Sequence, residues 1–135
     1  MTLDSLVEQF FPDVDVQLDH LEIVDDSLVL TLTTQQSSAP CPLCNTPSSR
    51  RHSGYVRTLN DLPWGSLKVS LQMRVRRFRC GVMHCPRRVF AERLASLSQP
   101  YARITSRLQE VLVDVALRMG GEPGKRLLAA LGIHP

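Results

Sequence analysis

Four cysteines, the only ones in the chain, constrain the fold more than any other feature of the sequence. They form two short-spaced pairs, Cys41-x-x-Cys44 and Cys80-x-x-x-x-Cys85, with 35 residues between the pairs. Tetrahedral zinc prefers four thiolates, and two such pairs on separate turns supply that geometry. The spacing therefore predicts one structural zinc ion, Zn2+, which stabilises a segment of about 60 residues that is too small to rely on burial alone.

Other uses of these residues stay open at this point. Disulfides would need an oxidising compartment. A redox pair at Cys41 and Cys44 has thioredoxin-like spacing, but it would leave the second cysteine pair without a role. His52 or His84 is an alternative ligand, although four cysteines already complete the coordination and leave no open position for catalysis.

Charge is divided sharply along the chain. Residues 1–40 carry eight acids and no Lys or Arg, a net charge of −8, whereas residues 41–135 carry all 16 Lys and Arg against five acids, a net charge of +11. Fourteen of these cations are Arg, whose planar fork donates paired hydrogen bonds to phosphate or guanine. A solvated, salt-bridged surface is the alternative, but five acids are too few to pair 16 cations. The split therefore favours a basic region that binds nucleic acid.

The local patterns predict an α+β fold in three parts. Residues 1–36 form an acidic segment, with a helix ended by Pro12 and a β-hairpin turning at Asp25-Asp26. Residues 37–98 form a small zinc-ribbon-like β domain. Residues 99–135 form a helical hairpin that breaks at Gly120-Gly121 and resembles the start of a helix-turn-helix.

Within the ribbon, residues 67–75 alternate apolar and polar side chains and predict a long strand, whereas the stretch after Cys44 is expected to be a loop.

No apolar run approaches the roughly 18 residues that span a bilayer, and the N-terminus has no basic segment typical of a secretory signal. The sequence therefore predicts a cytoplasmic protein with no membrane contact.

Candidate DNA contacts are the cations around the metal, one interleaved aromatic residue, and two cations near the start of the last helix. They are Arg50, Arg51, Tyr55, Arg57, Lys68, Arg74, Arg76, Arg77, Arg79, Arg87, Arg88, Lys125 and Arg126. Lys68, Arg74 and Arg76 share one strand face and are expected to follow one nucleic-acid backbone together.

Several side chains are expected to have structural roles instead. Trp64, Phe78 and Phe90 are predicted to be core residues, and Asp61 is predicted to pair with a nearby Arg. On the first C-terminal helix, Arg107 with Glu110 and Asp114 with Arg118 are spaced for pairing along the helix surface.

The amino-acid sequences of several segments closely resemble those of the N-terminal zinc-binding domain of bacterial insertion-sequence transposases of the ISL-three group. The resemblance rests on Cys41-Pro-Leu-Cys44, residues 52–65, Val75-Arg-Arg-Phe-Arg-Cys80 and residues 85–94, and it continues through residues 101–103 and 120–121. These motifs occur in the family's order over residues 40–135.

The resemblance implies that Cys41, Cys44, Cys80 and Cys85 bind zinc. It also implies a DNA partner. The zinc domain and the helix-turn-helix are expected to bind double-stranded DNA at the terminal inverted repeats of the insertion sequence. His52, Tyr55, Arg57 and Asp61 match motif positions to which it assigns no individual role. Full-length relatives carry a later RNase H-like domain with three acidic residues, so this chain is expected to be truncated before the catalytic domain and to have no enzymatic activity.

The resemblance also implies a bacterial, nucleoid-associated location. The competing interpretation is a zinc-stabilised interaction module that joins transposase subunits or another partner, with self-association as its signature. In that case the acidic segment would fold back over the basic face.

Overall fold

A computed structural model describes residues 2–134, which form three helices and seven strands. Along the chain they are α1 (Leu3–Phe10), β1 (Val16–Val24), β2 (Ser27–Thr34), β3 (Ala39–Pro40), β4 (Pro47–Ser48), β5 (Arg51–Trp64), β6 (Leu67–Arg79), β7 (Val89–Ala91), α2 (Ser106–Met119) and α3 (Gly121–Ala130). The predicted α+β class is confirmed. No helix within residues 2–134 is long and apolar enough to cross a bilayer.

The N-terminal segment folds as its sequence predicts. Thr2 caps α1, because its side-chain oxygen accepts a hydrogen bond from the Ser5 N–H at 3.2 Å. The helix ends before Pro12, and β1 and β2 then form an antiparallel hairpin. Its turn contains Asp25 at a φ of 55°, a left-handed conformation that Asp tolerates better than most residues.

The main sheet has the order β1-β2-β6-β5, and β7 pairs with the far end of β6. β5 and β6 form a long antiparallel hairpin, whose turn places Gly65 at a φ of 60°. β2 pairs with β6 in parallel, so the acidic hairpin and the ribbon strands share one sheet across the predicted boundary at residue 36. The three-part division of the chain stays a prediction.

The core lies on one face of this sheet. Leu28, Leu32, Leu71 and Met73 are fully or almost fully buried there, and α1 and Leu97 cover them. Phe78 and Phe90 are buried in a separate cluster beside the cysteines, as predicted.

Two expectations about this region were wrong. The segment after Cys44 is not a loop throughout, because β5 occupies Arg51–Trp64. The apolar alternation of β5 is broken because charged residues occupy inward positions. Arg57 and Asp61, like Tyr55 and Leu59, lie in register with the buried residues of β6. Trp64 is half-exposed at the end of β5, where its ring packs edge-on against Phe10 at 5.1 Å between centroids, so it is not a core residue.

The two C-terminal helices form the predicted hairpin. Thr105 caps α2, and Gly120 joins α2 to α3 at a φ of 67°, a conformation that favours glycine. Leu108, Leu128 and Ile133 form a third buried cluster, which packs against Leu62 at the end of β5. The hairpin is therefore attached to the sheet through β5.

Candidate metal centre and nucleic-acid interface

Each cysteine pair sits on a turn closed by backbone hydrogen bonds. The first turn follows β3, where the Cys41 N–H donates to the Thr46 carbonyl at 3.0 Å and the Asn45 N–H donates to the Cys41 carbonyl at 2.8 Å. The second turn follows β6, where the Cys80 N–H donates to the Arg88 carbonyl at 3.0 Å. These backbone hydrogen bonds therefore help to direct both cysteine pairs toward each other.

The four sulfurs converge on one point. All four Sγ atoms lie within 4.8 Å of one another, with Cys41 and Cys85 3.8 Å apart and Cys44 and Cys80 3.6 Å apart. Zinc–sulfur bonds of about 2.3 Å in a tetrahedron place sulfurs about 3.8 Å apart. The cysteines therefore form a closed, four-thiolate site that fits one zinc ion.

The thiols differ in their tendency to ionise. Hydrogen bonds from the Thr46 backbone N–H and hydroxyl lower the pKa of Cys44 to about 6, whereas burial raises the pKa of Cys85 to about 12. Cys44 is therefore the readiest thiolate near neutral pH, and a metal must displace the proton of Cys85.

The family comparison agrees with this geometry. A family model described as the zinc-finger of transposase IS204/IS1001/IS1096/IS1165 matches residues 37–85. The match covers 49 of the 135 residues, and over this range the chain is similar to the zinc finger of these transposases. No curated protein and no solved structure matches the chain. The match ends at Cys85, so it includes all four cysteines together with β5 and β6.

The structure gathers six of the predicted DNA contacts around the zinc ribbon's two turns. Backbone hydrogen bonds join the Arg79 N–H to the Arg50 carbonyl at 2.8 Å and the Cys80 N–H to the Arg88 carbonyl. We call this region the basic zinc end. It consists of Arg50, Arg51, Arg77, Arg79, Arg87 and Arg88.

Other predicted contacts are occupied within the protein. Arg76 lies on the same strand face as Lys68 and Arg74, as predicted. Its guanidinium, however, forms an ion pair with Glu92 at 3.0 Å, and both side chains are largely buried. Arg57 donates to the carbonyls of Gln99 and Ala102 at 3.0 and 2.6 Å.

The remaining predicted contacts lie apart from the basic zinc end or pack beside it. Lys68 pairs with Asp26 at 3.7 Å and lies eleven residues from Arg79 along β6, a distance of about 35 Å. Tyr55 packs partly into the core beneath the Arg77 guanidinium, 4.4 Å from its ring centroid.

The predicted contacts on α3 also lie outside that group. Lys125 makes an exposed pair with Glu122 at 3.7 Å, and Arg126 beside it is exposed.

A polar junction that sequence reasoning missed joins the ribbon to the helices. The Asp61 carboxylate is buried and accepts hydrogen bonds from Arg107 Nε, the Thr105 hydroxyl and the Leu62 N–H, each at 2.8 Å. Arg107 also donates to the Phe10 carbonyl, and its hydrogen bond to Asp61 raises the pKa of Arg107 above its ordinary value.

This junction corrects two expectations. Asp61 does pair with an Arg, but the partner is 46 residues away rather than local, and Arg107 therefore does not pair with Glu110. The available signal was compositional, because Asp61 is the only acid between Cys41 and Cys85. The partner of Asp61 could not be predicted from the sequence, because the contact depends on how α2 packs against β5.

Proposed function

We propose that this chain binds double-stranded DNA and recognises the terminal inverted repeats of an insertion sequence through its zinc ribbon. The observation that carries the proposal is the convergence of six arginines from three chain segments at the basic zinc end. Guanidinium groups suit bidentate contact with phosphate and with guanine. The match to a transposase zinc-finger supports DNA as the polyanion.

The electrostatic setting supports the same surface. None of the six arginines makes an ion pair with an acid of residues 2–134. The acidic hairpin meets the basic region at Asp26 and Lys68, which lie at the opposite end of β6. The turn of the hairpin therefore lies at the far end of the sheet from the basic zinc end, which supports an arginine surface that is available to DNA.

Zinc is expected to be required because it fixes the turns that present the arginines. Arg79 adjoins Cys80, and Arg87 and Arg88 follow Cys85 closely. Loss of the ion would release both turns and scatter these side chains, so metal removal should weaken DNA binding without changing the net charge of the arginines.

Fluorescence anisotropy with zinc-loaded and chelator-treated protein tests this proposal. The probes are a terminal-repeat duplex and a scrambled duplex, each titrated at several salt concentrations. We expect zinc-dependent preference for the repeat, and the double variant R79A/R88A should reduce the slope of log affinity against log salt by about 2. The control R118A removes one exposed charge from α2 and should leave the preference unchanged. Binding that ignores both zinc and sequence would contradict the proposal.

We further propose that this chain binds the element ends without cutting them, and that it acts at the bacterial nucleoid. Strand cutting by two metal ions needs clustered carboxylates, whereas Asp61 and Glu92 are each committed to an arginine. Incubation with labelled repeat duplex and Mg2+ or Mn2+ should leave the strands intact. A site-specific nicking activity that copurifies with the protein would overturn the proposal that the chain does not cut DNA.

Self-association is a second candidate function, favoured by apolar side chains on the helical hairpin. Val113 and Leu117 lie one turn apart on the same face of α2 and are 49% and 80% exposed, and a contiguous exposed apolar surface is typical of protein interfaces. Sedimentation velocity over a range of concentrations should show a dimer that L117K weakens. A monomer at all concentrations would remove this candidate.

A further inference from the structure

A basic cavity lies beside the zinc ribbon, between β5, β7 and the segment that leads to α2. Its volume is about 310 Å³, which is within the lower range of small-ligand sites. Three arginines line it, namely Arg57, Arg87 and Arg93, together with Tyr55 and Tyr101. The one acid in its lining, Glu92, is already paired with Arg76, so the cavity carries an unbalanced positive charge.

The aromatic residues of the cavity differ in exposure. Tyr55 is partly buried in the core and forms a wall, whereas Tyr101 is 87% exposed and offers its ring to solvent. Arg57 holds the segment that carries Tyr101 through its hydrogen bonds to the Gln99 and Ala102 carbonyls. The cavity therefore combines a fixed cationic interior with an exposed aromatic ring.

A buried hydroxyl adds a polar group without a partner. Ser98 also lines the cavity, and its Oγ is buried with no hydrogen-bond partner among residues 2–134. Buried polar groups in proteins nearly always have a partner, and those that lack one call for a ligand, an ion or water. The wall of the cavity therefore includes a polar residue, and the guanidinium groups that line the cavity are donors to phosphate oxygens.

We propose that this cavity binds one unpaired nucleotide, with its phosphate held by Arg87 and Arg93 and its base stacked on Tyr101. The site rests on the proposed function, which makes DNA the natural source of such a unit. It adjoins the basic zinc end and shares Arg87 with it. Phosphate explains the arginines, and stacking on a base explains an exposed tyrosine at the rim. In complexes with DNA the site would take a nucleotide displaced from the duplex or at a strand end.

A titration of the isotope-labelled, zinc-loaded protein by NMR tests the site directly. The ligands are thymidine monophosphate, inorganic phosphate and thymidine. We expect saturable shifts of the Ser98 and Tyr101 amides with the nucleotide, weaker binding of phosphate, and no binding of thymidine alone. R93A should weaken nucleotide binding by about tenfold or more, and Y101A should weaken nucleotide binding by a similar factor while leaving phosphate binding unchanged. R118A, which lies outside the cavity, should bind as the unmodified protein does.

Each alternative result has a defined meaning. Equal binding of thymidine and its monophosphate, or normal binding by R93A, would overturn the site. Equal binding of phosphate and nucleotide with no effect of Y101A would show an anion site only and would overturn the nucleotide assignment. Duplex anisotropy is measured separately, so loss of duplex binding with an intact nucleotide titration would refute the proposed function alone.

Discussion

At the scale of single residues, Asp61 connects three parts of the molecule. Its carboxylate binds α2 through Arg107 and Thr105, and Arg107 reaches the Phe10 carbonyl at the end of α1. Asp61 is almost completely buried, whereas Arg107 is partly exposed. Removing the negative charge would therefore leave a partly buried guanidinium without its counterion.

The substitution D61N is expected to destabilise the protein by about 2–4 kcal/mol, because the amide keeps an acceptor oxygen but loses the ion pair. Urea unfolding followed by the fluorescence of Trp64, the only tryptophan, measures the loss. D114N is the matched control, since Asp114 is exposed on α2, and it should change stability by less than about 0.5 kcal/mol. An unchanged midpoint for D61N would contradict this role.

Glu92 fills the gap between two strands on the same edge of β6. β2 pairs with β6 up to Arg74, and β7 begins pairing at Arg77. In the gap, Glu92 accepts from the Arg76 N–H, the Arg76 guanidinium and the Thr34 hydroxyl at 3.0–3.2 Å. One carboxylate therefore satisfies backbone and side-chain donors that the strands leave free.

The substitution E92Q should therefore destabilise the protein by about 1–3 kcal/mol, because an amide cannot accept from all these donors. The same unfolding experiment applies, with E110Q as the control because Glu110 is exposed on α2. If E92Q and E110Q unfold at the same urea concentration, the contacts of Glu92 contribute no net stability.

At the scale of elements, the molecule has one core that depends on burial and one that depends on metal. The sheet core buries Leu32, Leu71 and Met73 completely. The cluster of Phe78 and Phe90 includes few other apolar residues besides the cysteines. A core of that size needs the metal to remain folded.

Zinc removal should therefore unfold the ribbon end locally. Chelation is expected to raise hydrogen-exchange rates of residues 39–48 and 78–91 by about 100-fold or more, while Leu71 and Met73 at the centre of β6 stay protected. Exchange measured by mass spectrometry or NMR, with and without chelator, resolves the two regions. The variant C41S should reproduce the effect in the presence of zinc. Equal loss of protection at the centre of β6 would mean that the metal supports the whole fold.

Elements whose signal is local could be predicted from the sequence. The cysteine spacing predicts the zinc site because thiols on short turns need few other residues, and alternation predicts β2 and β6. β5 was not predicted, because Arg57 and Asp61 interrupt its apolar alternation. Both occupy inward positions, where they form polar contacts with residues about 45 positions away. The sequence could not show that Arg76 is paired while the arginines of the basic zinc end are not, because the pairing depends on where Glu92 lies in the folded chain.

At the scale of the whole molecule, the charge boundary near residue 40 does not coincide with a break in the fold. β2 pairs with β6 over seven residues, and Leu28 and Leu32 of β2 lie in the sheet core. The acidic segment is therefore an integral part of the sheet that supports the basic zinc end. The turn of this segment, with Asp26, meets β6 at the end opposite the arginines of the basic zinc end.

This arrangement predicts that the zinc ribbon will not fold well without the acidic segment. A fragment of residues 37–135 exposes the edge of β6 and the apolar side chains that β2 covers, so it should aggregate or lose cooperative unfolding. A fragment of residues 11–135 loses only α1, whose Val7 and Phe10 are partly buried, and should unfold cooperatively at a lower urea concentration than the full chain. Both fragments are loaded with zinc and compared by urea unfolding and light scattering. If residues 37–135 remain monomeric and unfold at the same midpoint as the full chain, the ribbon is an independent domain and the shared sheet is dispensable.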